Sequence, residues 1–168
     1  MRYMDKQPTM EELIEKVQKL KSTGELDLSM EEDLSIAVMN LISLEEHFYF
    51  TGAKTGKSEY FELLEQTRKV RKELLAKMID VHEGETWCSA KHLLAATMRM
   101  IEVGTKLQSS GKKEESQDMF KKAYGIYSLF WALRLKLINA AGVREVVGSD
   151  TPMTQEELLT KLVDCCKE

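Results

Sequence analysis

Four side chains with chemical potential share one line in the segment from Trp87 to Glu102. Cys88, His92, Arg99 and Glu102 are separated by steps of four, seven and three residues, and on a helix those steps return to the same face. A thiol and an imidazole at i,i+4 can both reach one ion. An arginine with a glutamate one turn further on can hold an anion or a small polar ligand. Around this stripe lie Leu93, Leu94, Ala96, Met98, Met100, Ile101 and Val103. So apolar a surface predicts a central helix that carries its chemistry on a single polar stripe.

The metal reading takes Cys88 and His92 as ligands for zinc or another transition metal, with Glu32, Asp33 or Glu85 as candidate oxygen donors at a similar level. The plainer reading is a half-exposed thiol and a solvated imidazole beside Lys91, with no cofactor at all. Helical rise places His47 about 20 Å from His92, so the two do not share an ion. Complete signatures are missing. The di-iron pattern Glu-x-x-His does not recur on two helices, and His82-Glu83-Gly84-Glu85 lacks the second histidine of a zinc protease. Cys88 with His92 as its base has no orienting carboxylate on the same helix. The run Gly52 to Ser58 ends in Gly-Lys-Ser but has only three residues between its glycines, where the phosphate loop needs four, and no strand precedes it. Lys54, Lys57 and the first amides of a helix starting at Ser58 leave a weaker anion site open. No residue is assigned a catalytic role.

Three charges fall where periodicity expects core. Glu45 shares a face with Leu34, Val38, Leu41, Phe48 and Tyr49. Arg71 lies among Tyr60, Leu64, Thr67, Leu74 and Met78. Arg134 lies among Phe120, Tyr124, Tyr127, Trp131 and Ile138. An unpaired buried charge is costly, so each must find a counter-ion, snorkel to solvent or line a polar pocket; aromatic neighbours also allow Arg134 to stack. A ligand or anion pocket would therefore draw on Arg71, Arg99, Glu102 and Arg134.

These residues need helices to position them, and the punctuation supplies helices. A Ser or Thr followed three residues later by Glu marks starts at Thr9, Ser29 and Thr154. The spacing predicts helices over 9–21, 30–51, 58–83, 86–109 and 113–141 and a short one from 154, with a loop over 142–152. No stretch alternates like a strand. Short connections favour antiparallel neighbours. The expected fold is an all-α, up-and-down bundle of four long antiparallel helices with a short helix at each end, forming a single domain over residues 1–168. With turns near 54, 84 and 111, Cys88 and His92 level with Phe130 to Arg134 and with Asp33 and Leu34. Glu45 levels with Glu65, Glu102 and Phe120.

The bulk numbers fit this and exclude some functions. The 168 residues carry 43% hydrophobic and 31% charged side chains, enough for one sizeable core. A net charge of −4 argues against nucleic-acid binding, which needs a basic footprint. The basic run Arg68 to Lys72 is surrounded by Glu62, Glu65 and Glu73 and reads as a solvated helix face. No apolar run is long enough for a membrane span or a signal peptide, and three cysteines, two of them the neighbours Cys165 and Cys166, suit a reducing cytoplasm. Ten methionines serve either adaptable core filling or an apolar groove. The aromatic run Tyr124 to Trp131 has the same two uses, core or partner surface.

Residues 97–130 resemble a single tetratricopeptide-type helical hairpin. Val103, Gly104, Leu107, Phe120 and Ala123 stand where that motif has its large and small residues, and Gly111 stands in the turn. Ser116 replaces the motif's alanine and Ser128 its proline, and the preceding 34 residues do not repeat the pattern. The resemblance implies close helix packing and a scaffold; one unit alone does not make the groove that several copies build. The expectation for function is a non-enzymatic bundle acting as a protein-interaction or accessory module, through a protein partner or self-association. The alternative is a bundle with a metal or small ligand near Cys88, His92 and Arg134.

Overall fold

The computed structural model describes residues 28–138, together with Glu15, Lys19, Ser22 and Thr23. Four helices occupy most of this span: α1 (Leu28–Thr55), α2 (Glu59–Ala76), α3 (Glu85–Ser109) and α4 (Lys113–Arg134). A single 3-10 turn, Val81–Glu83, leads into α3. The fold among the described residues is all-α, with no strand. Of the expected first helix, Glu15 and Lys19 are described and are helical, as is Ser22 just past its expected end. The expected loop over 142–152, the helix from Thr154, and Cys165 and Cys166 lie outside the described residues.

Successive helices pair as hairpins, α1 with α2 and α3 with α4, and α1 lies against α3 across the two. In the first hairpin Gly52 meets Phe61 and Glu45 meets Arg71, so the helices run in opposite directions. Gly52 does not stop α1, as its sequence position predicts. It is buried inside the helix, where an added Cβ would stand 3.0 Å from the Phe61 ring, so its missing side chain is what lets α2 approach. The helix stops instead at Gly56, whose φ of +70° is open to glycine at little cost. The stretch 52–55 is therefore helix rather than a phosphate-type loop. Ser29 also lies within α1 and not ahead of it.

Two helices end earlier than periodicity predicts, and for related reasons. After Ala76 the chain turns so that Met78 and Ile79 enter the core, with the Ile79 amide still bonded to the Leu75 carbonyl at 2.9 Å. After Arg134 the chain closes with Lys136 at φ +55°. The Leu137 amide donates to the Ala132 carbonyl and the Lys136 amide to that of Leu133, the paired bonds of a Schellman end. Leu135 and Leu137 are thereby folded back into the core. Apolar periodicity continues past both ends, but it continues in a turn.

The core sits at one end of the molecule. Its members are Val38 and Met39 of α1, the end of α2 (Leu75, Met78, Ile79), the start of α3 (Ala90, Leu93, Leu94) and the end of α4 with its turn. Ser128 to Leu133 are buried at six consecutive positions, so this part of α4 is surrounded on all sides. The aromatic run is accordingly core: Phe130 is fully buried, Trp131 nearly so, and the Tyr127 and Phe130 rings stack. Toward the two hairpin tips burial thins. On α1 the direction that buries Ser35 and Val38 carries the half-exposed Tyr49 one turn beyond Glu45. On α3 the direction that buries Leu94 and Thr97 carries Ile101, which is 39% exposed. No helix among the described residues is long and apolar enough to cross a membrane.

Candidate functional site

Helix α1 is the acidic axis to which the other three helices are tied by arginines. Glu45 is 8% exposed; its carboxylate accepts from Arg71 Nε at 2.8 Å and from Arg68 Nε at 3.1 Å. Glu46, the next residue, faces around the helix toward α3 and pairs with Arg99. Near the other end Glu31 takes Arg134 with both oxygens, Nε at 2.7 Å and Nη2 at 2.5 Å, a fork geometry well suited to arginine. Beside it the Ser35 and Tyr127 hydroxyls share a 2.7 Å bond between α1 and α4. The three expected core charges thus each meet an opposite charge, Glu45 and Arg71 meeting each other and Arg134 meeting Glu31. Burial alone would raise the Glu45 carboxyl, but hydrogen bonds from Arg71 and Arg68, and their charges, outweigh it and hold the group below its ordinary value of 4.5.

The Glu31–Arg134 and Ser35–Tyr127 contacts place the end of α4 level with the start of α1, as the expected register has them. The expected level of Glu45 does not hold: it meets Arg68 and Arg71 and not Glu65, because the α1–α2 turn is centred near 57 rather than 54. A three-residue error in a turn displaces an antiparallel register by six.

The stripe of Cys88, His92, Arg99 and Glu102 faces solvent. The face of α3 turned inward is instead that of Ala90, Leu93, Leu94, Thr97 and Gly104, so the polar stripe is the outer surface of a packed helix. Among the described residues no three His, Cys, Asp or Glu side chains are grouped to hold a metal ion. The structure does not gather the expected anion-binding residues. Arg71 lies in the α1–α2 seam on Glu45, Arg99 in the α1–α3 contact on Glu46, and Arg134 on Glu31, while Glu102 stands exposed on α3. Lys54 and Lys57 are exposed at the first tip.

What composition and spacing did not single out is the tip end itself. An open cleft of about 680 Å³ runs along the last turns of α1, lined by Glu46, His47, Phe50, Thr51, Lys54, Thr55 and, from α3, Arg99. Phe50 is 66% exposed and Tyr49 52%, and their rings meet edge to face at 5.2 Å. Phe61, Ile101, Val103 and Phe120 are also exposed large apolar side chains within a few turns of the tips. The signal that could have found them is the mismatch between an apolar periodicity running to Phe50 and a core that ends near Glu45. In the second hairpin Gly104 packs on the Phe120 ring, the Ser116 hydroxyl donates to the Gly104 carbonyl at 2.8 Å, and Ala123 is buried. The buried Ser116 hydroxyl is thereby satisfied. Compared with protein-family models, with curated proteins and with solved structures, the chain matches none.

Proposed function

We propose that this chain is a protein-interaction or accessory module that works through the face at its hairpin tips. One observation carries the reading. Glu46 and Arg99 clip α1 to α3, and within about a turn of that clip Tyr49 and Phe50 on one helix and Ile101 and Val103 on the other are exposed. Single exposed apolar residues are ordinary on a protein surface; exposed aromatic and aliphatic side chains from two helices within about a turn of one ion pair, with Phe50 lining the cleft, are the composition of a contact surface. The charged groups support the same view. The buried or half-buried arginines are engaged by carboxylates that join helix to helix, which makes them part of the scaffold. No described arrangement favours the metal- or small-ligand alternative at Cys88, His92 and Arg134.

The test is site-specific photo-crosslinking in cells. A photoreactive phenylalanine at Phe50 is expected to give a discrete protein adduct, and the same group at Asn40, exposed on the flank of α1, is expected to give none. Absence of any adduct at Phe50, with the chain expressed and folded, overturns the reading.

A further inference from the structure

We infer that the two hairpins form a jaw that opens about the core end of the molecule, with the Glu46–Arg99 ion pair as its latch. This motion belongs to the single chain and does not depend on the interaction reading above. Each hairpin is tied within itself. α2 is held to α1 by the buried Glu45–Arg71 pair and by Gly52 against Phe61. α4 is held to α3 by Gly104 against Phe120 and by the bond from the Ser116 hydroxyl to the Gly104 carbonyl. The hairpins meet each other through α1 and α3, and what joins them is concentrated at one end. There Val38, Leu75, Leu94 and Phe130 belong to one buried cluster, Glu31 takes Arg134 and the Ser35 and Tyr127 hydroxyls bond. On the tip side of that core, Glu46–Arg99 is the one ion pair between the hairpins among the described residues.

The two ends are held with unequal strength. At the core end the joining side chains are almost or wholly out of water. The latch is half in water, with Arg99 52% and Glu46 44% exposed in their side chains, and an exposed pair of this kind shifts an equilibrium by about fivefold at most. Beyond it the inward stripes of α1 and α3 stay partly uncovered at Tyr49 and Ile101, so little apolar burial resists separation of the arms. Gly56 lies ten residues past Glu46, about 15 Å along the axis, so a tilt of about 20° at the latch carries the tip by about 5 Å. Two tied arms on one packed end have the geometry of a hinge. Opening uncovers Tyr49 and Ile101 further, because both continue stripes that are buried at the core end, and the latch thereby controls access to the apolar face beside it.

The test is pulsed electron-spin distance measurement on the full chain, in a background carrying Cys88→Ser, Cys165→Ser and Cys166→Ser. Nitroxide labels go on Lys57→Cys at the first tip and Lys112→Cys at the second, both exposed. With the latch intact, a main short distance and a minor longer one are expected. Arg99→Glu sets two carboxylates at the latch and is expected to raise the longer fraction about fivefold. Adding Glu46→Arg reverses the pair and is expected to return the first distribution. A second label pair near the core end, at Lys77→Cys and His92→Cys, also exposed, is expected to keep one distance throughout. Circular dichroism confirms that each variant keeps its helix content. A tip distribution that Arg99→Glu leaves unchanged overturns the jaw, as does a core-end distance that spreads along with the tips, or a reversed pair that stays as open as Arg99→Glu alone. The distances are independent of any adduct at Phe50, so the jaw and the interaction reading fail separately.

Discussion

Glu45 and Arg71 form a buried pair whose two halves are not equivalent. Arg71 is 5% exposed and donates from Nε and Nη2 to Glu45, whereas Glu45 has a second cation in Arg68, 42% exposed in its side chain. Replacing Glu45 with Leu strands a guanidinium in the α1–α2 seam, and the expected loss is about 3–5 kcal/mol. Replacing Arg71 with Met leaves the carboxylate its half-solvated partner, and the expected loss is smaller, about 2–3 kcal/mol. The double variant, Glu45→Leu with Arg71→Met, removes both desolvation costs and fills the seam with apolar atoms of similar volume. It should return to within about 1 kcal/mol of the parent. Urea unfolding followed by far-ultraviolet circular dichroism measures all four corners of the cycle. Singles that each cost under about 1 kcal/mol, or a double equal to their sum, would refute the reasoning, because charges that do not couple are not buried against each other.

The same carboxylate predicts a pH dependence. Its folded value lies below 4.5, so its stabilisation is complete above that pH and is lost as pH falls through the folded value; thermal melts in acid should show Glu45→Gln losing less stability than the parent over that window, and parallel curves would refute it. Lys136 occupies the left-handed position of the α4 end, which costs a non-glycine residue roughly 1 kcal/mol. Lys136→Gly gives up an exposed pair with Glu83 and some unfolded-state restriction, so a gain of about 0.5 kcal/mol is expected in the urea midpoint. Gly104→Ala would set a methyl 2.5 Å from the Phe120 ring; a loss of about 1–3 kcal/mol is expected, turning to a gain of up to about 1 kcal/mol from helix propensity when Phe120→Ala makes room.

Much of the scaffold is legible in the residues because helices announce themselves locally. The four long helices follow from 3.6-residue periodicity, and Gly84 and Gly111 separate them where expected. The ends are harder for a physical reason. Apolar residues continue past Ala76 and past Arg134 whether the chain stays helical or folds back, and only the tertiary pull of Met78, Ile79 and Leu137 into the core decides. Gly52 shows the converse: a glycine placed to admit a neighbouring ring is written like one placed to end a helix.

The polar stripe of α3 was legible as a line but not as a side. Periodicity fixes which residues share a face, and Cys88, His92, Arg99 and Glu102 do share one; which face turns inward depends on what the other helices bring. Here α1 supplies the deciding groups. Glu31, Glu45 and Glu46 stand along one helix, and each takes an arginine from a different neighbour. Arg99 is drawn along the outer flank of α3 to reach Glu46, which holds the stripe outward and leaves Ala90, Leu94 and Thr97 to pack. Of the residues that looked most like chemistry, Arg99, with Arg71 and Arg134, ties the helices together, and the uncovered surface is left beyond the Glu46–Arg99 clip, where Tyr49 continues the core stripe and Phe50 stands exposed beside it.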